Sequence, residues 1–390
     1  MKTKLFLYTI IILLSAGFMI INPHETVQAA SQGVLLWSTI VLPALLPFFI
    51  VAELLVKIRF IHFMGVLMEP VMRPLFRLPG CSSLVMVMGF TSGFPVGAVL
   101  TRELYDQQQL TAEEAERLLV FTNNASPLYI LGAVGIGMMG SPAAGYLLAF
   151  SAYLSNFLLG ILLRFKATST VPTPGSANRL EAAWQAMLPA PGSSPGIASM
   201  LGDAIRRSLS NVMAVGGFIV VFSVLTRILS QWGVIDSLAG MLFHFLKLFN
   251  FDYAQVYGLC MGMFEMTLGS KTATASATGS SLTLFITLSV IIAFSGISVI
   301  AQVMSIMAGT PVRLSFYLIS RLGQMVITCI LTFLAFKVAL LSGIAVVATQ
   351  SIPFYKVLYA FDAWTWALRS MLVALLIIFA LLVIGSFKKT

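Results

Sequence analysis

Apolar runs of membrane-spanning length alternate along the chain with short polar ends, and several runs are broken from within. The clearest break is Gly89-Phe90-Thr91-Ser92-Gly93-Phe94-Pro95-Val96-Gly97, with three glycines, two hydroxyls and a proline. Lipid cannot satisfy the backbone that such a sequence exposes. Non-helical backbone at membrane depth persists only where it is buried in protein or lines a cavity. The stretch is therefore read as the tip of a re-entrant hairpin at a transport site.

Taken in order, Met1 to Ile21 has Lys2 and Lys4 before an apolar run and is read as an uncleaved first helix within residues 1–31. Val27-Gln28-Ala29-Ala30 has the form of a signal-peptide cleavage site, but a polar gap, Asn22 to Thr26, precedes it. A first repeat is expected over 32–166. Its span Gly33 to Val56 should be kinked by Pro43 and Pro47. His62, Glu69, Arg73 and Arg77 then share one face of an interfacial helix over 60–79, lying along the bilayer surface. The hairpin follows over 83–100, too interrupted for a span of about 20 apolar residues. Thr111-Ala112-Glu113-Glu114 is a capping box. The helix it opens breaks at Thr122-Asn123-Asn124-Ala125-Ser126-Pro127 and resumes from Leu128 to Met139. After the turn Gly140-Ser141-Pro142, a span runs from Ala143 to Leu163.

Residues 167–203, rich in Pro, Gly, Ser and Ala, read as a cytoplasmic linker. A second repeat is expected over 204–341: a span from Ile205 to Leu229, an interfacial helix over 234–249 and a hairpin over 257–280 centred on Phe264-Glu265-Met266-Thr267-Leu268-Gly269-Ser270-Lys271. A span broken at Ser295-Gly296-Ile297-Ser298, the turn Gly309-Thr310-Pro311 and a span from Leu314 to Leu341 complete it. Residues 342–390 add a loop and a last span from Trp364 to Ile384. The order of six elements recurs at a close register: Ile61 and Ile235 are 174 residues apart, as are Phe90 and Phe264.

Composition agrees with this pattern. Of 390 residues, 58% are hydrophobic and 9% charged, against about 25% charged in a soluble domain. The net charge of +9 comes from basic residues at the ends of apolar segments. Those are topology signals, not a nucleic-acid footprint. With the N-terminus in the cytoplasm, every Lys and Arg except Arg227, Lys247, Lys271, Lys337, Lys356 and Arg369 falls on or near the cytoplasmic side. The two repeats then lie inverted in the membrane, an architecture of secondary transporters. The expected fold is an all-α polytopic membrane protein with about eight transmembrane helices and two re-entrant hairpins in an inverted repeat.

Half-helices that stop inside the membrane present unpaired N–H or C=O groups to the cavity, and their N-termini favour anions. Four breaks supply the candidate substrate-binding residues: Thr91, Ser92 and Gly93; Asn123, Asn124 and Ser126; Glu265 and Thr267; Ser295 and Ser298. A carboxylate in an apolar run is costly and functional by default. Glu265 is accordingly a proton carrier, a cation ligand, an acceptor for substrate, or a partner for Lys271. Lys271 and Arg102 lie just past the two tips, where they would attract an anion or set topology. Cys81, Cys260 and Cys329 have no metal or disulfide spacing, and the three histidines no ligand spacing. No metal site and no cofactor are expected, and the coupling ion, proton or sodium, stays open. Without a phosphate loop or a nucleophile motif, an enzyme is not expected.

The same order of elements resembles the core of the concentrative nucleoside transporters and the nucleoside-recognition gate domain proteins. Within that group the motifs are most similar to the YlbJ-type sporulation integral membrane proteins of spore-forming Firmicutes. They are Leu42-Pro43-Ala44-Leu45-Leu46-Pro47-Phe48-Phe49, Glu69-Pro70-Val71-Met72-Arg73-Pro74-Leu75-Phe76-Arg77, the first hairpin from Met88 to Ala98, Glu113 with Ala115-Glu116-Arg117, and Phe121 to Pro127. The resemblance implies export of dipicolinic acid from the mother cell across the outer forespore membrane, with both termini on the mother-cell side, and by analogy a homotrimer. Nucleoside transporters carry an acidic residue in each hairpin. The first hairpin here has none, which fits an acidic ligand better than a nucleoside. The alternatives are a nucleoside or related transporter, and a non-transporting scaffold or sensor in spore assembly.

Overall fold

The structure, a computed structural model, describes residues 2–167, 179–188, 196–275 and 282–341. Among these residues every regular element is a helix. The chain opens with α1 (Lys2–Ile21) and α2 (Pro23–Leu36), and α2 continues through a π-helical turn, Trp37–Val41, into α3 (Leu42–Lys57). The polar stretch expected as a gap is therefore helix. Pro23 takes its first turn, where a missing N–H costs nothing. The expected kink takes the form of the π turn, which relieves the clash that the Pro43 ring makes one turn back.

The segment expected to be interfacial is α4 (Phe60–Phe76), ended on both sides by left-handed residues, Arg59 and Arg77. It buries Ile61, Met64, Met68, Met72 and Phe76 at helical spacing. A helical hairpin follows, α5 (Ser82–Ser92) and α6 (Val96–Asp106), with its apex at Gly93 to Pro95. Next come α7 (Ala112–Thr122), an extended stretch over 123–126, a π-helix Leu128–Met138, and α8 (Pro142–Leu163).

The segment read as a linker holds a helix, α9 (Arg179–Met187), which packs on α4. The next helix, α10 (Ile197–Gln231), is 35 residues long and starts well before Ile205. Its early turns are helical because their charged residues face solvent and α3: Lys57 Nζ lies 2.8 Å from Asp203 Oδ2. The second half continues with α11 (Val234–Leu246), α12 (Tyr253–Phe264), α13 (Met266–Ala275), α14 (Leu282–Phe294), α15 (Gly296–Ile306) and α16 (Leu314–Leu341). The last span read from the sequence, Trp364 to Ile384, lies outside the described residues.

Four of the described helical segments are long and apolar enough to cross a membrane: Pro142–Lys166, Ala198–Gln231, Leu282–Ile306 and Leu314–Leu341. The helices from α4 to α8 recur in order from α11 to α16, and their contacts recur with them. The touching pair α7 and α16 has its counterpart in α14 and α8. The pair α6 and α15 has its counterpart in α13 and the π-helix. Residues about one register apart in the sequence also meet each other directly. Thr328 Oγ1 donates to Ser155 Oγ, 173 residues away, at 2.7 Å. Trp37 Nε1 donates to the carbonyl of Val212, 175 residues away, at 3.0 Å.

Candidate functional site

The first hairpin tip packs on the first break. Gly93 has φ +80°, and a Cβ there would lie 2.6 Å from the backbone nitrogen of Ser126. Only glycine combines that backbone with that approach. Thr91 turns its hydroxyl back onto the Val87 carbonyl of its own helix, at 2.9 Å. Ser92 is buried, and its Oγ has no hydrogen-bond partner. Beyond the apex, no side chain caps the N-terminus of α6.

In the facing break, Asn123 and Asn124 are buried. Asn123 Nδ2 donates to Tyr317 Oη at 3.0 Å, and Asn124 Nδ2 donates to the Phe121 carbonyl at 2.9 Å. Both Oδ1 atoms are left without a partner. Ser126 Oγ accepts from the Tyr129 amide at 3.2 Å and so caps the π-helix.

The second tip and second break meet in the same way. A Cβ on Gly296, which has φ +81°, would lie 3.1 Å from the Phe264 carbonyl oxygen. Glu265 interrupts α12 and α13 as expected, but its carboxylate serves its own chain: Oε2 accepts from the Leu268 amide at 2.6 Å. That is the geometry of an N-cap, with a negative charge on the positive end of α13. Lys271 is exposed, and among the described residues it makes no ion pair with Glu265. Ser295 stands in the left-handed region at φ 74° and provides no side-chain cap to α15. Its Oγ donates to the Ile292 carbonyl, and Ser298 is buried one turn on.

Two polar contacts fix the levels of these helices. Arg313, just before α16, clasps Glu116 early in α7, with Nη2 to Oε2 at 2.7 Å. That hydrogen bond and the Glu116 charge raise the guanidinium pKa above its ordinary value. Farther along, Tyr317 and Arg321 of α16 reach Asn123 at the end of α7. Hence α7 and α16 run the same way. α6 and α15, each the antiparallel neighbour of one of them, also run together. Arg102 of α6 holds the far end of α15, with Nη1 donating to the Ala308 carbonyl at 2.6 Å and Nε to Asp106 Oδ2 at 2.7 Å. The N-termini of α6 and α15 are therefore at the same end of this parallel pair, the end toward Asn123, and neither has a side-chain cap. Their counterparts are both capped, α13 by Glu265 and the π-helix by Ser126.

The sequence reading left out Arg321. It is 0% exposed and is the largest fully buried side chain among the described residues. Nη1 donates to Gln324 Oε1 at 2.6 Å, and Nη2 to Tyr317 Oη at 2.7 Å and to the Asn123 carbonyl. Nη1 also approaches the Ala293 carbonyl at 3.5 Å, and Nε has no partner. Among the described residues no carboxylate pairs with it. The signal that marks it is the buried stripe Tyr317, Arg321, Gln324, Thr328 and Thr332, spaced by three and four along an otherwise apolar helix. Toward the Arg313 end, a cavity of about 420 Å³ is lined by Glu113, Glu116, Arg117, Lys166, Arg313 and Phe316.

The arrangement offers buried hydroxyl, amide and guanidinium groups at the ends of broken helices, as a binding site for a small polar solute needs. Residues 38–142, from α3 through the first hairpin and the first break, match the family model Gate, described as nucleoside recognition. An uncharacterised protein of Alkalihalophilus pseudofirmus is 30% identical over 129 residues, 31% of this chain and 27% of that protein. No solved structure matches the chain. The sporulation integral membrane protein YlbJ of Bacillus subtilis (strain 168) is 38% identical over 325 residues, 81% of this chain and 79% of that protein. An alignment at this identity runs through both hairpins, and the chain belongs to the YlbJ family of sporulation integral membrane proteins.

Proposed function

We propose that this integral membrane protein is a secondary transporter or facilitator that moves dipicolinate, a small planar dianion, from the mother cell toward the forespore. The observation that carries this reading is the pair of uncapped N-termini of α6 and α15, at the Asn123 end of two helices that run together. Uncapped N-termini attract anions, and the buried Ser92 hydroxyl adds a free donor beside one of them. The capped pair, α13 and the π-helix, has its positive ends already answered and is assigned to gating or coupling through Glu265. The sporulation relative supplies the biological setting.

The proposed frame is eight spans and two re-entrant hairpins in an inverted repeat, with alternating access as the hairpin-bearing core rocks against the outer spans. The reciprocal contacts of the two halves support the repeat. The ion pairs support the orientation, since each joins residues assigned to one side: Lys57 with Asp203 and Glu116 with Arg313 in the cytoplasm, Glu25 with Arg227 outside. Membership of the outer forespore membrane, and a homotrimer, complete the proposal.

A second reading is a nucleoside or related carrier. It is favoured by the gate model's description and by the open Oδ1 acceptors of Asn123 and Asn124, which suit a ligand bearing N–H groups. A turned amide would exchange acceptor for donor, so the acceptors are compatible with both ligands.

Flux into proteoliposomes separates the two. Labelled dipicolinate is expected to enter protein-containing vesicles faster than empty ones, with little uridine entry. Ser92→Ala and Asn124→Ala should slow it without lowering the melting temperature. Entry of uridine with exclusion of dipicolinate would overturn the proposal in favour of the second reading. Entry of neither, with function unaffected when these polar residues become alanine, would leave a scaffold.

A further inference from the structure

We propose that Arg321 is the carboxylate-binding residue of this protein, the fixed positive charge against which an organic anion docks. The inference rests on the transport reading for its setting, not for its evidence. Arg321 is fully buried, and among the described residues it has no counter-anion. It lies about 12 Å along the axis of α16 from Arg313, at about 1.5 Å per residue, well inside a hydrocarbon layer about 30 Å thick. A lone guanidinium at such depth is expensive, and its retention points to use.

Neutral groups hold it in place. Its acceptors are neutral: the Asn123 carbonyl where α7 ends, the Tyr317 hydroxyl and the Gln324 amide, with the Ala293 carbonyl of α14 close by. Carbonyls at helix C-termini carry only partial negative charge. They occupy the guanidinium without neutralising it. A carboxylate accepts two parallel N–H bonds from one edge of an arginine and outcompetes neutral acceptors. The edge formed by Nε and Nη2 is available in part, since Nε has no partner.

The charge is also unique to one half. Thr328 meets Ser155, 173 positions earlier, and at the 173-residue register read from the sequence Arg321 corresponds to Leu148. Among the described residues, one molecule therefore carries one such charge. It adjoins the uncapped ends of α6 and α15, since α6 packs on Asn123 through Gly97 and α15 begins three residues after Ala293.

Binding to the purified full-length chain tests this, with dipicolinate and its uncharged diamide as probes. Wild type is expected to prefer dipicolinate by about tenfold or more, the worth of a charge-assisted pair. Arg321→Gln should abolish that preference, weakening dipicolinate binding far more than diamide binding. Arg321→Lys keeps the charge without the fork. It should retain part of the preference, and it is the variant to read if Arg321→Gln does not fold.

A preference that survives in both folded variants overturns the inference while leaving dipicolinate transport intact. Arg321-dependent binding of another carboxylate, such as picolinate, in place of dipicolinate supports the inference and overturns the dipicolinate reading. Uridine binding with no carboxylate binding overturns both.

Discussion

Gly93 shows how little room the first hairpin tip leaves. A methyl group there would meet the Ser126 nitrogen at 2.6 Å and the Ser126 Cβ at 2.7 Å, on a backbone of φ 80° and ψ −164°. That region is essentially reserved for glycine at a cost of about 1–3 kcal/mol, and overpacking adds a penalty of about 1–3 kcal/mol. Gly93→Ala is expected to lower the melting temperature and to abolish flux. Gly240→Ala, where nothing lies within 4 Å, should do neither. Thermal unfolding of the two variants in parallel checks this. At this scale the sequence made polarity visible but not its direction. Ser92, Asn123 and Asn124 stood out as polar residues in apolar runs, and all three are buried with an open polar atom. Thr91 stood out equally, yet its hydroxyl is spent on its own helix. Arg102 is likewise spent on the end of α15. Arg321 did not stand out, because an arginine a few residues into an apolar helix has the appearance of a topology charge. Only the partner helices reveal that it lies against two broken ends.

The clearest sequence signal at the level of the element was the capping box of α7. Thr111 Oγ1 accepts from the Glu114 amide at 3.3 Å, and Glu114 Oε2 accepts from the Thr111 amide at 3.0 Å. Thr111→Ala should cost about 1 kcal/mol of stability, measurable as a lowered midpoint of thermal unfolding, with substrate affinity unchanged. The breaks at 93–95, 123–126, 265 and 295 were legible for a related reason. Glycines, prolines and hydroxyls inside apolar runs offer the backbone alternatives to the helix. Continuity was less legible. Pro23 and the polar residues after it read only as a polar gap before a cleavage-like sequence, although Pro is well placed at the start of a helix. Likewise α9 and the early turns of α10 were hidden by a Pro- and Gly-rich neighbourhood. Their helicity depends on packing against α4 and α3, which a local pattern does not contain.

For the whole molecule, the repeated order of helices was legible as a register of about 173 residues, and the structure turns that register into contact. Thr328 and Ser155, separated by 173 positions, share a hydrogen bond where α16 crosses α8. Two equivalent points of a duplicated structure can touch only on the axis that relates the copies. A movement that gives each half the other's shape leaves that axis where it was. In the proposed rocking cycle this contact is accordingly a pivot, while pairs away from it, such as Glu116 with Arg313, must part and re-form. Crosslinking distinguishes the two. In a chain with Cys81, Cys260 and Cys329 replaced, a disulfide between Ser155→Cys and Thr328→Cys should leave flux nearly intact. One between Glu116→Cys and Arg313→Cys should arrest it until reduced. A crosslink at the hydroxyl pair that stops the cycle would move the hinge elsewhere. A hydrogen bond 2.7 Å long between two small side chains thus marks a place in the membrane where this protein can be locked without being stopped.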